Sequence, residues 1–430
     1  MIRMYATLLA IAVVTASPAV DQADALSHRQ TLPVTAIPYT YYLTTAGVPA
    51  EKRAQLEIGM RFILPSLSLK PLVDEQIPQQ LTATLYFIDT RNYGWERSLP
   101  KVLKDYPYAV YGYPSLVIRA DWFLPFATDC SENGAYYDLL FGQRFKTRDE
   151  FLKVLKIEND RKYAFGLIEG QSGVAVQKKR WIESRPIPRG YAWVTRDSEK
   201  ITFESDPLEH PAGDFKHAAE EWIVGVPKLS SATGKRGALQ LYFLSSGQGQ
   251  TQDEAPIKIV QDHTKIRYGS EEIRNGISCI ACHTTGLNLP TVNEFRSLIE
   301  EGADIYAKKG GQQQLEAFHL SDINKELTRN NEDFQDIVEH CTGVSSEQAA
   351  KAYFNCVQDY DAPLSILHAA LEVGCTPKEL QLAIAYASND GKSTARDVRL
   401  AQGKQGIPRH TWEDGGYIRT YYAVKAWRGK

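Results

Sequence analysis

Cys279-Ile280-Ala281-Cys282-His283 places two thiols three positions apart with an imidazole directly after them. Residues three apart on a helix lie one turn from each other, so both thiols can add to the two vinyl groups of one porphyrin while His283 turns to the iron as proximal ligand. This is the attachment pattern of a c-type haem. With six Cys and nine His in 430 residues, a chance match at this spacing is rare. The bland alternatives are half of a zinc knuckle, or a redox dithiol followed by an unrelated His. A zinc site would need a second C-x-x-C, and none of the other four cysteines makes one.

The other axial position of the iron is less marked. Met1 and Met4 lie in the leader described below, and Met60 falls in a helical pattern whose apolar face buries it as a core filler. No Met follows the motif. What remains is an open site, another residue type, or one of His28, His210, His217, His263, His319, His340, His368 and His410. A second imidazole would give a lower reduction potential than a His/Met pair, because thioether ligation raises it.

Met1 to Ala25 has the layout of an export signal. Arg3 supplies the positive start, Tyr5 to Val14 the apolar run, and Ala23-Asp24-Ala25 a cleavage site, with cuts after Ala16 or Ala19 as alternatives. The run is about ten residues, whereas a membrane span takes about 20. The expected location is the periplasm or the exterior, with no membrane span in the mature chain. Covalent haem is attached after translocation, so the leader and the pentapeptide agree. A net charge of -3 carries no basic excess for nucleic acid, and Lys178-Lys179-Arg180 reads as a solvated turn.

The elements around the motif divide the chain by character. From Leu32 to Val260, β-rich runs alternate with turns: Leu81 to Ile88, Ala109 to Tyr113, Ser115 to Arg119, Tyr191 to Thr195 and Ala238 to Leu244. Helices are expected at Ala50 to Leu64 and after a Thr147 cap. Beyond Ser270 helix signals dominate. Ser270 is expected to cap a helix carrying the haem motif, with further helices at Thr291 to Glu300, Ser321 to Thr328, Asn331 to Cys341, Gln348 to Asp359 and Pro363 to Val373. Thr376-Pro377-Lys378-Glu379 opens the last clear one. The reading is an α+β chain: a signal at 1–25, a mixed, β-rich domain at 26–265 and a mainly helical haem domain at 266–430.

Four cysteines remain in an oxidising compartment: Cys130, Cys341, Cys356 and Cys375. Three helices running up, down and up would bring Cys341 to Cys375, while Cys356 would lie about 15 Å down the middle helix, out of disulfide reach.

Longer motifs carry a family resemblance. Ile88-Asp89-Thr90-Arg91-Asn92-Tyr93-Gly94-Trp95 is followed by Tyr106-Pro107-Tyr108, by Arg119-Ala120-Asp121-Trp122-Phe123 and by Tyr136-Tyr137-x-Leu139-Leu140. Asn275-Gly276-Ile277-Ser278 leads into the motif, and Tyr360-x-x-Pro363-Leu364 and Ala369-Ala370-x-Glu372-x-Gly374 follow. In these segments the chain resembles a family of exported, little-characterised bacterial c-type cytochrome proteins with one late C-x-x-C-H. Phe215-Lys216-His217 with Glu220 or Glu221 is similar to that family's F-x-H-x-G-G-E, which implies His217 as distal ligand beside a carboxylate partner. Ala218-Ala219 departs from the pattern. Arg119 and Asp121 read first as a structural ion pair, and otherwise as catalytic or haem-propionate groups.

The expected function is electron transfer by one covalent haem c, with Cys279, Cys282, His283 and His217 as its site and an unidentified redox protein as partner. Two alternatives stay open: a peroxidase-like haem enzyme with an open distal side, and a ligand-binding or sensor protein built on the front region.

Overall fold

The computed structural model describes residues 18–109, 116–158, 163–167, 180–210, 213–262, 265, 270–288, 323–389 and 406–429. The chain is α+β and divides into two units. The first is Met1–Leu64, Glu75–Pro125 and Asn355–Lys430, and the second is Pro65–Asp74 and Phe126–Phe354. These do not coincide with domains at 26–265 and 266–430. The haem-motif segment folds with the β-rich stretch that precedes it, and the last helices fold with the first strands.

In the first unit β1 (Thr40–Thr44), β2 (Gln79–Gln80), β3 (Leu85–Asp89) and β4 (Val117–Arg119) form a sheet in the order β2-β3-β1-β4, with β4 parallel to β1. The helix Pro18–Thr31 seats Ala25 in a core with Tyr42, Leu85 and Leu116, and the buried Asp21 carboxylate accepts hydrogen bonds from the Thr44 and Thr84 hydroxyls. A cut after Ala25 would divide this helix and remove Asp21. The helix Ala50–Ser66 buries Leu56, Met60 and Ile63 on one face, which places Met60 in the core. Near the end, Thr376 and Glu379 cap the helix Pro377–Asn389 reciprocally, Thr376 Oγ1 accepting from the Glu379 amide and Glu379 from the Thr376 amide.

Arg119 and Asp121 belong to a buried network in this unit. Both oxygens of Asp121 accept from the Arg119 guanidinium, and Glu372 bridges Arg119 to Arg409. Trp412 Nε1 donates to Glu372 at 2.7 Å, and Arg409 Nε to the Tyr360 carbonyl at 2.7 Å. Burial alone would raise the Glu372 carboxyl, but the two guanidiniums outweigh it and hold it at about 2. The structural reading of Arg119 and Asp121 is the one this geometry supports.

The second unit is built on an antiparallel sheet of β5 (Tyr163–Leu167), β6 (Arg180–Arg185), β7 (Tyr191–Asp197), β8 (Ala219–Leu229) and β9 (Arg236–Ser246) in sequence order. On one face, Phe243 stacks on Phe151 at 4.2 Å, with Tyr137 and Phe145 beside them. A ribbon of β10 (Glu254–Ala255) and β11 (Ile273–Arg274) leads into the helix Ile277–Cys282, shorter than expected. Ser270 accepts from the Glu272 amide in a turn and caps no helix. Gly276 stops a longer helix: its φ is +78°, and a Cβ there would meet the Thr128 carbonyl at 2.4 Å.

The expected helices Ser321 to Thr328, of which residues 321 and 322 lie outside the described ones, and Asn331 to Cys341 are replaced by one helix, Ile323–Thr342. The expected helix Thr291 to Glu300, His263, His319, and all but Ala109 of the run Ala109 to Tyr113 lie outside the described residues. All six cysteines are free thiols. The Cys341 to Cys375 bridge is not formed, because the helices that would present them belong to different units and not to one bundle.

Candidate functional site

The helix Ile277–Cys282 puts Cys279 and Cys282 one turn apart, and His283 is its C-cap. Cys279 and His283 are buried and Cys282 is partly exposed. The entry to the helix is fixed by Asn275, which donates to the Tyr137 hydroxyl and accepts from the Gly276 amide, and by the Ser278 hydroxyl, which accepts from the Arg274 amide. That is the work of the N-G-x-S segment.

His283 Nδ1 lies 3.0 Å from the Gly286 carbonyl. A carbonyl only accepts, so Nδ1 carries the proton and Nε2 is left as the ligand nitrogen. The loop is held in turn by the helix Ile323–Thr342. Asn331 accepts from the Leu287 amide at 2.6 Å and donates to the Leu287 carbonyl at 2.7 Å, and Gln335 donates to the Thr285 carbonyl at 2.8 Å. Gly286 has a φ of +106°, and a Cβ there would strike the Asn331 side chain. Tyr242 of β9 stacks on the imidazole, with ring centroids 5.7 Å apart.

Glu221 closes the site. Its carboxylate is 3.6 Å from His283 Nε2 and lies 3.8 Å from Arg180, which is clamped on Asp197 by two bonds of 2.8 and 2.7 Å. Burial alone would raise the Glu221 carboxyl, but the His283 imidazole beside it and the charge of Arg180 hold it at about 2. Arg180 is therefore no part of a solvated turn, and Lys178 and Lys179 lie outside the described residues. Burial and the nearby carboxylates push Cys279 well up and Cys282 up to about 12. Such thiols hold almost no thiolate at neutral pH, which disfavours the redox-dithiol reading. Among the described residues no group of three or more His, Cys, Asp or Glu is placed to hold a metal ion. A haem iron asks less of the protein, one or two axial ligands, and the donor set here fits: two thiols on one turn and an oriented imidazole.

His217 is placed elsewhere. Successive residues of a strand face opposite sides of the sheet. Glu221 faces His283, while Glu220 faces the other way and accepts from His217 Nε2 at 3.0 Å, Arg196 Nε at 3.0 Å and Arg148 Nη1 at 3.0 Å. The carboxylate partner expected for His217 is present, but it holds the imidazole on the face away from the haem motif. The structure brings together Cys279, Cys282 and His283, and does not bring His217 to them. Sequence reasoning missed Glu221 as the neighbour of His283, and with it Tyr242, Arg180 and Asn331. The alternation along β8 was the available signal for Glu221.

No family model, curated protein or solved structure matches this chain.

Proposed function

We propose that the protein is an exported mono-haem c-type cytochrome that relays single electrons, and that the family resemblance in its R-A-D-W-F and N-G-x-S-C-x-x-C-H segments reflects this role. Cys279 and Cys282 hold the haem and His283 is its proximal ligand. The observation that carries the reading is the Nδ1 hydrogen bond to Gly286, which presents Nε2 beside two thiols on one turn. The haem supplies one-electron redox chemistry; the chain supplies attachment, imidazole orientation and a buried surround. Iron at Nε2 would occupy the side of the imidazole that Glu221 faces at 3.6 Å, so the carboxylate would have to give way to it. His217 stays with Glu220, so the distal position belongs to another group or is open. The tie between His217 and Glu220 gives the second reading, a haem protein that binds a small ligand at iron, its support.

Export is part of the proposal. No helix among the described residues is long and apolar enough to cross a membrane. The buried Asp21 and Ala25 favour processing after Ala16 or Ala19 over a cut after Ala25. The decisive experiment is periplasmic expression with a haem-maturation system. Haem that stays with the denatured chain and a two-thioether pyridine haemochrome spectrum are expected. A haem-free product sinks the reading. Carbon monoxide binding by the ferrous protein would move it from electron relay to ligand binding.

A further inference from the structure

A second cleft, wholly within the first unit, is unrelated to haem. It opens beside the loop Gly47-Val48-Pro49 and the start of the helix Ala50–Ser66, with Asp359 and Tyr360 also on its lining. Its floor is the charged network described above. Arg409 and Glu372 line it with side chains 6% and 2% exposed, and Asp121 with 13%.

Burying this many charges costs several kcal/mol per ion before their attraction returns it, and apolar side chains would close the same space more cheaply. Here the charges face an opening. Charges of both signs meet here, Arg119 and Arg409 with Asp121 and Glu372, Glu413 behind Tyr360, and Lys52 paired with Asp359 at 2.6 Å at the mouth. Capacity is nevertheless left at two points of opposite sign. Each Asp121 oxygen takes a single bond, from Arg119. Arg409 spends Nε on Tyr360 and Nη1 on Glu372 and Tyr108, while its Nη2 makes no hydrogen bond among the described residues. The imidazole of His368, also on the wall, makes none either. Val48, Pro49 and Leu56 add an apolar side.

We propose that this cleft binds a small zwitterion of the free amino acid class. The ligand's ammonium sits on Asp121, its carboxylate on Arg409 and His368, and its side chain along Val48, Pro49 and Leu56. The assignment does not depend on the haem reading.

The test is isothermal titration of the full-length protein with glycine, L-alanine and L-leucine, beside N-acetyl-L-leucine and L-leucine methyl ester. At least one free amino acid is expected to bind, and blocking either end should weaken binding about 100-fold, the loss of one desolvated charge pair. Gln55 is exposed at the mouth, so Gln55→Trp obstructs the cleft without touching the network and should weaken binding at least about ten-fold. Asp121→Asn should weaken binding comparably to the blocked amine. If Asp121→Asn misfolds by circular dichroism, Gln55→Trp decides. The proposal is overturned if none of the three amino acids binds, if the blocked forms bind as well as the free ones, or if Gln55→Trp leaves binding unchanged.

Discussion

Glu220 and Glu221 are neighbours in β8 and face opposite sides of one sheet, each against an imidazole and an arginine. On the Glu220 side the accounts are closed within the protein: His217, Arg148, Arg196, Trp222 and Ser245 all donate to a carboxylate with no exposure. On the Glu221 side an imidazole, two protonated thiols and a carboxylate share a site, and the carboxylate stands 3.6 Å from the imidazole nitrogen. The first arrangement needs nothing further. The second makes chemical sense once the imidazole and the thiols are engaged by something else. Similar residue types thus close a structural network on one face and, on the other, leave the donor set on which the haem proposal rests.

The largest expected effect separates the faces by chemistry. Cys279→Ala with Cys282→Ala should abolish covalent haem, read by haem staining after denaturing electrophoresis, while His217→Ala should leave attachment and the optical spectrum unchanged. A change from low to high spin in His217→Ala would restore it as distal ligand and break the comparison. Next comes stability: Glu220→Ala removes a buried acceptor shared by five donors, leaving Arg196 with Glu183 and the partly exposed Arg148 with Asp149, and should cost about 3 kcal/mol in urea unfolding. His217→Ala, which removes one bond at the edge of the same cluster, should cost about 1 kcal/mol. An equal loss in the two variants would mean that the cluster is not what holds this face.

The sequence made part of this legible. The pentapeptide, the helix starts at Ala50, Thr147 and Pro377, the burial of Met60 and the strands at 191–197 and 236–246 all follow from spacing, capping and alternation. Three things did not. The helix at the motif is cut short by Gly276, whose requirement comes from a carbonyl of Thr128, far away in sequence. Cys341 and Cys375 go to different units, a long-range fact that no local pattern carries. His217 stood near two glutamates, and proximity along the chain could not say which of the two it would follow, because one residue of register exchanges the faces.

Smaller effects sharpen the haem side. Asn331→Ala removes both bonds to Leu287 and should cost about 1–3 kcal/mol while loosening the loop that supplies the Gly286 carbonyl. Covalent haem should persist, and the reduction potential should shift, as measured by redox titration. An unchanged potential would remove Asn331 from the positioning of His283. The smallest effect is on acid stability. In the haem-free protein Glu221 is held at about 2, below its ordinary 4.5. A carboxyl lowered in the folded state contributes stability that is fully present above about pH 4.5 and lost as pH falls toward 2. Glu221→Gln should flatten that part of the urea-midpoint profile, and a profile as steep as wild type would reassign the carboxyl's partners.

The first unit is assembled from stretches near both ends of the chain, with the second unit's sequence lying between them. During synthesis, Arg119 emerges about 250 residues before Glu372 and Arg409, and contacts so distant in sequence form late. The unit that holds the C-x-x-C-H motif has all of its own sequence once residue 354 has been made. Its companion must wait for the terminus. A chain truncated after residue 354 would therefore keep the attachment motif but leave Arg119 with neither Glu372 nor Arg409 to complete its network, a fragment open to quality-control proteolysis. The order of the chain itself thus separates completion of the second unit's sequence from completion of the first's.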